Sequence, residues 1–322
     1  MIYEAIKNFH TQFDFKPVVE NAGKLKKYGK FIVAGMGGSN LAPELLKIRK
    51  PALDIISHRN YGLPNLSPKA LKNTLMIASS YSGNTEETLD VFKMAVSKNY
   101  PVAAISIGGK LLELAKKYKK PFIQLPDTRI QPRSATGFST KALLKLIGGQ
   151  EALREISELA KILKPYELER AGKTLAKKLK GLVPIIYASE RNRAIAYNWK
   201  IKFNETGKIP AFINVFPELN HNEMTGFDAK DSTQNLSKFF YFLFLKDPAD
   251  HSKIIKRMNI TERLYRERQL PVETMVLSGK NIFHKIFSSL VLADWTAYYT
   301  AQEYGVEATE VPMVEEFKRL IK

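Results

Sequence analysis

Apolar residues recur along this chain in two alternating rhythms. Short, nearly uninterrupted apolar runs at Phe31 to Ala34, Leu53 to Ser57, Thr74 to Ser79, Val102 to Ile107 and Phe122 to Leu125 have the length and composition of strands buried on both faces. Between them, Leu41, Leu45 and Ile48, then Leu89, Phe92 and Val96, return at helical spacing and line one face. This alternation predicts an α/β fold, a parallel sheet flanked by helices on both sides.

Helical spacing continues from Lys141 to Lys164, punctuated by Gly148-Gly149 and Pro165, which places a domain junction near 150 to 165 and divides the chain into 1–155 and 156–322. Beyond it the alternation resumes. Val183 to Ala188, Phe212 to Val215, Phe239 to Leu245 and Thr274 to Leu277 read as strands, and Arg191 to Phe203 and Ile254 to Glu267 as helices. A long helix over about Asn281 to Tyr304 and a short one over Val314 to Ile321 complete the chain. Two similar halves suggest a cleft between them, where the carboxyl ends of strands meet ligands.

Composition narrows the chemistry. Among 322 residues, 44% are hydrophobic, enough for packed cores, and 50 Lys and Arg against 32 Asp and Glu give a net charge of +18, which favours anionic partners without choosing among them. The absence of cysteine excludes disulfides, thiolate zinc, iron–sulfur clusters and a cysteine nucleophile. The five histidines, His10, His58, His221, His251 and His284, offer no chelating pair at i and i+4, so metal catalysis is disfavoured and no cofactor is expected. No run reaches the roughly 18 to 20 apolar residues of a membrane span, and the first residues lack the pattern of a secretory signal, so the expected location is the cytoplasm.

Two strand-to-helix loops are rich in small hydrogen-bonding residues: Gly35-Met36-Gly37-Gly38-Ser39-Asn40 and Ser80-Tyr81-Ser82-Gly83-Asn84-Thr85. Loops of this kind at helix N-termini suit a phosphate, because free amides, hydroxyls and the helix dipole converge there. Capping draws on the same residue types, so Ser82 or Thr85 could equally be an ordinary cap for a helix starting near Glu86. Glu86 and Glu87 would repel a polyphosphate, which leaves a compact phosphomonoester as the better fit. The dinucleotide frame fails at Asn40, and the Walker frame fails at Glu167. No G-x-S-x-G elbow is present for a serine hydrolase.

Two proton carriers, Glu205 and His221, flank the apolar run Ala211 to Phe216. A partly buried carboxylate and an imidazole can together move protons at neutral pH, although either residue could also be a solvated surface group. Arg133 follows the fifth strand in Gln131-Pro132-Arg133-Ser134-Ala135, where its forked donors could face an oxyanion. Lys318, taken alone, reads as a solvated helix lysine.

Together, Gly35-Met36-Gly37-Gly38-Ser39, Ser80 to Thr88, Gln131 to Ala135 and Phe216-Pro217-Glu218-Leu219-Asn220-His221-Asn222-Glu223 resemble the sugar isomerase (SIS) domain proteins, and within the phosphoglucose isomerase superfamily the bifunctional phosphoglucose/phosphomannose isomerases. The resemblance implies two SIS-type subdomains and an aldose/ketose isomerase that interconverts glucose 6-phosphate, and mannose 6-phosphate, with fructose 6-phosphate through a cis-enediolate and without a metal. Gly38, Ser39, Ser80, Ser82 and Thr85 match the sugar-phosphate pocket, Arg133 the group that steadies the enediolate, and Glu205 the base. His221 matches a ring-opening histidine supplied by the partner subunit, which implies a homodimer, and Lys318 a terminal lysine that assists ring opening. Where relatives often read Asp-Pro-Thr-Pro-Val, this chain has Glu307-Ala308-Thr309-Glu310-Val311.

Two rival readings stand beside it. A sugar-phosphate-sensing SIS regulator without isomerase activity would carry a helix-turn-helix appendage and a basic stripe, and neither is evident, so a sugar phosphate rather than nucleic acid or a membrane is the expected partner. An amidotransferase-type isomerase half would need a glutaminase cysteine from another subunit.

Overall fold

The computed structural model describes residues 2–228 and 230–321. The chain divides into two units, Asn8–Leu163 and Lys164–Lys322 joined by Met1–Lys7. The observed boundary thus lies eight residues beyond the expected 155/156, and the start of the chain belongs with its second half. The reason is local packing. Arg49 donates to Glu155 at 2.6 Å and to Glu151 at 3.1 Å, and Ile156, Leu159 and Leu163 are buried, so the helices Gln150–Ser157 and Leu159–Ile162 stay with the first unit. Pro165 opens the next helix, Pro165–Lys178, whose first carbonyl accepts from Trp295 Nε1 at 2.8 Å.

In the N-terminal unit, β1 (Phe31–Ala34), β2 (Ile55–His58), β3 (Leu75–Ser79), β4 (Val102–Ser106) and β5 (Phe122–Gln124) form a parallel sheet in the order β2-β1-β3-β4-β5. β1, β3 and β4 are buried at every position, as uninterrupted apolar runs require. Leu89, Phe92 and Ala95 of the helix Glu86–Ser97 pack with Met76, Ala78 and Ala104 of the sheet. Because β1 pairs with β2 on one side and β3 on the other, chain order reverses there, and the carboxyl ends of β1 and β3 flank the topological switch point.

In the C-terminal unit, β6 (Val183–Ser189), β7 (Phe212–Phe216), β8 (Phe240–Lys246) and β9 (Val272–Val276) form a second parallel sheet in the order β7-β6-β8-β9. β9 begins two residues before the expected Thr274 because Val272 already pairs with Phe242. Tyr187, Phe216, Phe242, Phe244 and Tyr265 form an aromatic core on this sheet. The helix Pro165–Lys178 lies against Ile282–Glu303 so closely that a β-carbon on Gly172 would meet Trp295 Cβ at 2.4 Å. Tyr3 of the opening helix Ile2–Lys7 packs 5.1 Å from the Trp295 ring.

Candidate active site

The two glycine- and serine-rich loops leave the N-terminal sheet side by side, since Ala34 of β1 is in register with Ala78 of β3. They are bonded to one another. The Tyr81 amide donates to Ser39 Oγ at 2.9 Å, and Ser79 Oγ donates to the Ser39 carbonyl at 2.8 Å. Asn40, fully buried, ties the first loop down through Nδ2 to the carbonyls of Gly35 and His58 at 2.8 and 3.1 Å. In the second loop Ser80, also fully buried, accepts from the Gly83 amide at 3.1 Å and shares a hydrogen bond of 2.8 Å with Thr85 Oγ1. Thr85 occupies the N-cap of Glu86–Ser97 yet makes no side-chain capping bond, so a capping role does not account for its hydroxyl. Gly83 sits at φ +73°, and a β-carbon there would lie 1.9 Å from the Gly108 carbonyl oxygen. Only glycine fits that contact. Ser82 is exposed, its oxygen accepting from the Asn84 amide at 3.3 Å. Hydroxyls and the N-terminus of Glu86–Ser97 thus lie together on these loops, the types of donor that suit an anion.

Arg133 lies in the short turn Pro132–Ser134 and is 1% exposed. Gly38 packs directly on it: a β-carbon at Gly38 would meet Arg133 N and Pro132 C at 2.6 Å each. The same turn is stapled by a residue that sequence reasoning missed. Gln12, itself buried, donates to the Ser134 carbonyl at 2.7 Å and accepts from the Gly137 amide at 3.0 Å. Lys141 was likewise missed. It is 2% exposed and donates to the Phe13 carbonyl; burial pushes its pKa down to about 8, with Asp14 raising it and Lys16 lowering it. The structure therefore gathers Gly38, Ser39, Ser80, Ser82, Thr85 and Arg133 in the N-terminal unit.

Glu205, His221 and Lys318 lie in the C-terminal unit. Glu205 is half-buried in a π-helical turn, Phe203–Gly207, that continues the helix Arg193–Lys202. Such widened turns re-aim side chains and recur at functional sites. Lys208, left-handed at φ +58°, closes the turn and donates to the carbonyls of Glu205, at 2.6 Å, and of Glu310. The segment that departs from the Asp-Pro-Thr-Pro-Val pattern is thus fastened to the turn that carries Glu205. Lys202 pairs with Asp294 at 2.5 Å, anchoring the same helix to Ile282–Glu303.

His221 ends the 3-10 turn Glu218–His221 after β7 and is exposed. Because β7 separates them in sequence and runs parallel to β6, Glu205 precedes the amino end of this strand and His221 follows its carboxyl end. A five-residue strand spans on the order of 15 Å. Glu205 and His221 thus sit in the turns before and after the same strand. Glu223, two residues beyond His221, accepts from Tyr187 Oη at 2.5 Å and from Asn214 Nδ2. Burial, with Tyr265 and Glu223 beside it, pushes the Tyr187 phenol far above its ordinary value, so it stays a donor. Lys318, in the exposed helix Pro312–Leu320, pairs with Glu315 at 2.7 Å. Among the described residues no group of three His, Asp or Glu side chains is placed to hold a metal, and no helix is long and apolar enough to cross a membrane.

Residues 168–321 match the model of the bacterial phospho-glucose isomerase C-terminal SIS domain. A bifunctional phosphoglucose/phosphomannose isomerase from Caldicellulosiruptor bescii is 34% identical over 312 residues, covering 92% of this chain and 90% of its own. A D-glucosamine-6-phosphate 4-epimerase from Sulfolobus acidocaldarius is 30% identical over 323 residues, covering 98% and 96%. Among solved structures, glucosamine-6-phosphate deaminase from Thermotoga maritima superposes with a TM-score of 0.68 at 16% identity, covering 97% of this chain and 96% of that one; at this identity the likeness is one of fold.

Proposed function

Because this chain belongs to the bifunctional phosphoglucose/phosphomannose isomerase family, we propose that it interconverts glucose 6-phosphate, and mannose 6-phosphate, with fructose 6-phosphate by proton transfer through a cis-enediolate. The observation that carries this reading is the pair of hydrogen-bonded loops after β1 and β3, which bear Gly38, Ser39, Ser80, Ser82 and Thr85 and offer the hydroxyl and amide donors a single phosphate needs. Binding energy from the phosphate positions the sugar without touching the reacting carbons. Glu205 then carries a proton between C2 and C1, a general-base contribution of about a hundred- to ten-thousand-fold. Arg133 neutralises the enediolate. C2 is planar in that intermediate, so one base serves both the glucose and mannose epimers when rotation about the C2–C3 bond presents either face of C2 to it.

Ring opening falls to His221 and Lys318, which move protons between O5 and O1. In line with the family resemblance, the histidine serving a given sugar comes from a second copy of the chain, and the active form is a homodimer.

The test is an assay of fructose 6-phosphate formation from glucose 6-phosphate and from mannose 6-phosphate without added metal, with glucosamine 6-phosphate as a third substrate to cover the chemistry named for the S. acidocaldarius relative. Glu205→Gln is expected to abolish turnover while sugar-phosphate binding persists. Wild-type turnover in that variant removes Glu205 from the base role, and binding without turnover in the unmodified protein favours a sugar-phosphate sensor.

A further inference from the structure

The loop that carries His221 is restrained on both sides of the imidazole and not at it. Upstream, Asn220 Nδ2 donates to Thr261 Oγ1 at 2.8 Å, and Arg257 Nη1 donates to Asn220 Oδ1 at 3.4 Å, binding the loop to the helix Ser252–Glu267. Downstream, Asn222 Oδ1 accepts from the Glu223 amide at 2.6 Å, while Asn222 Nδ2 donates to Glu218 at 2.8 Å. The strongest tether is Glu223 itself. Its two carboxylate oxygens are divided between neighbouring strands, one taking the Tyr187 hydroxyl of β6 and the other the Asn214 amide of β7. Tyr187 is fully buried, and its oxygen lies 3.4 Å from the Tyr265 hydroxyl, so a line of hydroxyls runs from Ser252–Glu267 through the sheet to Glu223. The His221 side chain, between these anchors, makes no hydrogen bond among the described residues and is exposed.

A surface turn does not need a carboxylate pinned by a buried phenol. Taking Glu223 partly out of water is costly unless both oxygens are satisfied, which they are. What the arrangement secures is the backbone position of a residue two places away, while the side chain of that residue stays free to meet a ligand. We propose that Glu223 is a positioning residue for His221, holding the imidazole at the place and angle that ring opening requires. The proposal rests on the assignment of ring opening to His221 made above. Glu223 takes no part in the proton transfer at C2. Its loss therefore slows the step before that transfer and leaves the phosphate cradle untouched.

The test is a kinetic cycle on the full-length protein with glucose 6-phosphate and its C2-deuterated form. Glu223→Ala is expected to lower kcat about 10- to 100-fold with KM changed less than about threefold, the scale of a misplaced catalytic group. The deuterium effect on kcat should shrink, because ring opening becomes limiting; a merely structural role would reduce the active fraction and leave that effect unchanged. In the cycle, His221→Ala with Glu223→Ala should be no slower than His221→Ala alone. A folded Glu223→Ala that keeps wild-type kcat, an undiminished isotope effect, or losses that multiply in the double variant overturns the proposal. Wild-type kcat in His221→Ala would instead sink the ring-opening assignment, so the two failures are distinct.

Should Glu223→Ala not fold, polarity exchange carries the test. Glu223→Gln sets two amide donors against each other at Asn214, whose oxygen is already engaged by the Val215 amide at 2.8 Å. Adding Asn214→Asp restores that bond in reverse, the new amide at 223 donating to the new carboxylate at 214, while Tyr187 still donates to the side-chain oxygen at 223. The single variant should lose kcat and the pair should recover it to within about threefold of wild type. Absence of loss in the first, or absence of rescue in the second, counts against the proposal.

Discussion

Lys202 meets Asp294 at 2.5 Å with side chains only 1% and 4% exposed, and the helix that carries Lys202 runs without a break into the π turn that carries Glu205. A buried pair of this kind contributes little net stability while intact, but either charge left alone is costly. Asp294→Ala is therefore expected to destabilise the protein by about 3–5 kcal/mol. Lys202→Met with Asp294→Leu should recover most of that loss. Urea unfolding of the three proteins checks the expectation, and equal stability of single and double variants would contradict it.

Ser80 and Ser82 differ by burial, and their variants should differ accordingly. Ser80 Oγ organises the loop by accepting from the Gly83 amide and pairing with Thr85, whereas Ser82 is exposed. Ser80→Ala should raise KM for the sugar phosphate and cost about 1–3 kcal/mol of stability through an unsatisfied amide. Ser82→Ala should raise KM with the melting temperature unchanged. An unchanged KM in Ser82→Ala would return that residue to loop structure alone.

Gly38→Ala probes the contact between the first loop and the Arg133 turn. The added carbon would lie 2.6 Å from backbone atoms of Pro132 and Arg133, neither of which can swing aside as a side-chain end would. Displacement of Arg133 should lower kcat about 10- to 100-fold. Gly23→Ala, with nothing within 4 Å of the new carbon, is the matched control and should be silent. Equal kinetics for both would dissociate Gly38 from the arginine.

Lys141 gives a pH dependence of definite sign. Burial, its largest cause, brings the pKa from 10.5 to about 8, so between these values the folded protein binds fewer protons than the unfolded chain and stability rises with pH. The rise attributable to Lys141 is at most about 3 kcal/mol. Denaturation of wild type and Lys141→Met near pH 7.5 and near pH 10, both about one unit or less from the edges of that window, should show the rise only in the wild type. Parallel behaviour of the two proteins would remove Lys141 as the source.

The two glycine- and serine-rich strand-to-helix loops were legible in the sequence because everything that marks them is local: a buried apolar run, then small and hydroxyl residues, then a helical period. The strands were legible for the same reason, apart from ends such as Val272, where pairing with Phe242 extends β9 beyond its own hydrophobic signal. Gln12 gave no sign of its role, because the carbonyl it holds, Ser134, lies 122 residues away. Lys141 read as one more helix lysine, since charge alone does not reveal burial. The periodicity from Arg191 to Phe203 suggested one regular helix and concealed both the short turn Glu190–Asn192 before it and the π turn after it, which shift side-chain directions without altering composition. Glu223 stood within a recognisable motif, but its partners Tyr187 and Asn214 come from two different strands, and only their pairing in the sheet exposes the anchor.

The helix Ile2–Lys7 docks on elements far along the chain: Tyr3 packs edge-on to Trp295 and donates to Glu169 at 3.3 Å. On the ribosome, Asn8–Leu163 holds all five strands of its sheet and is free to close while Trp295 is still unmade. The seat of Ile2–Lys7 includes Trp295, so this helix gains its full set of contacts only after that residue has emerged. A chain stopped after Leu163 would leave that helix with no seat, because Glu169 and Trp295 both lie beyond the cut.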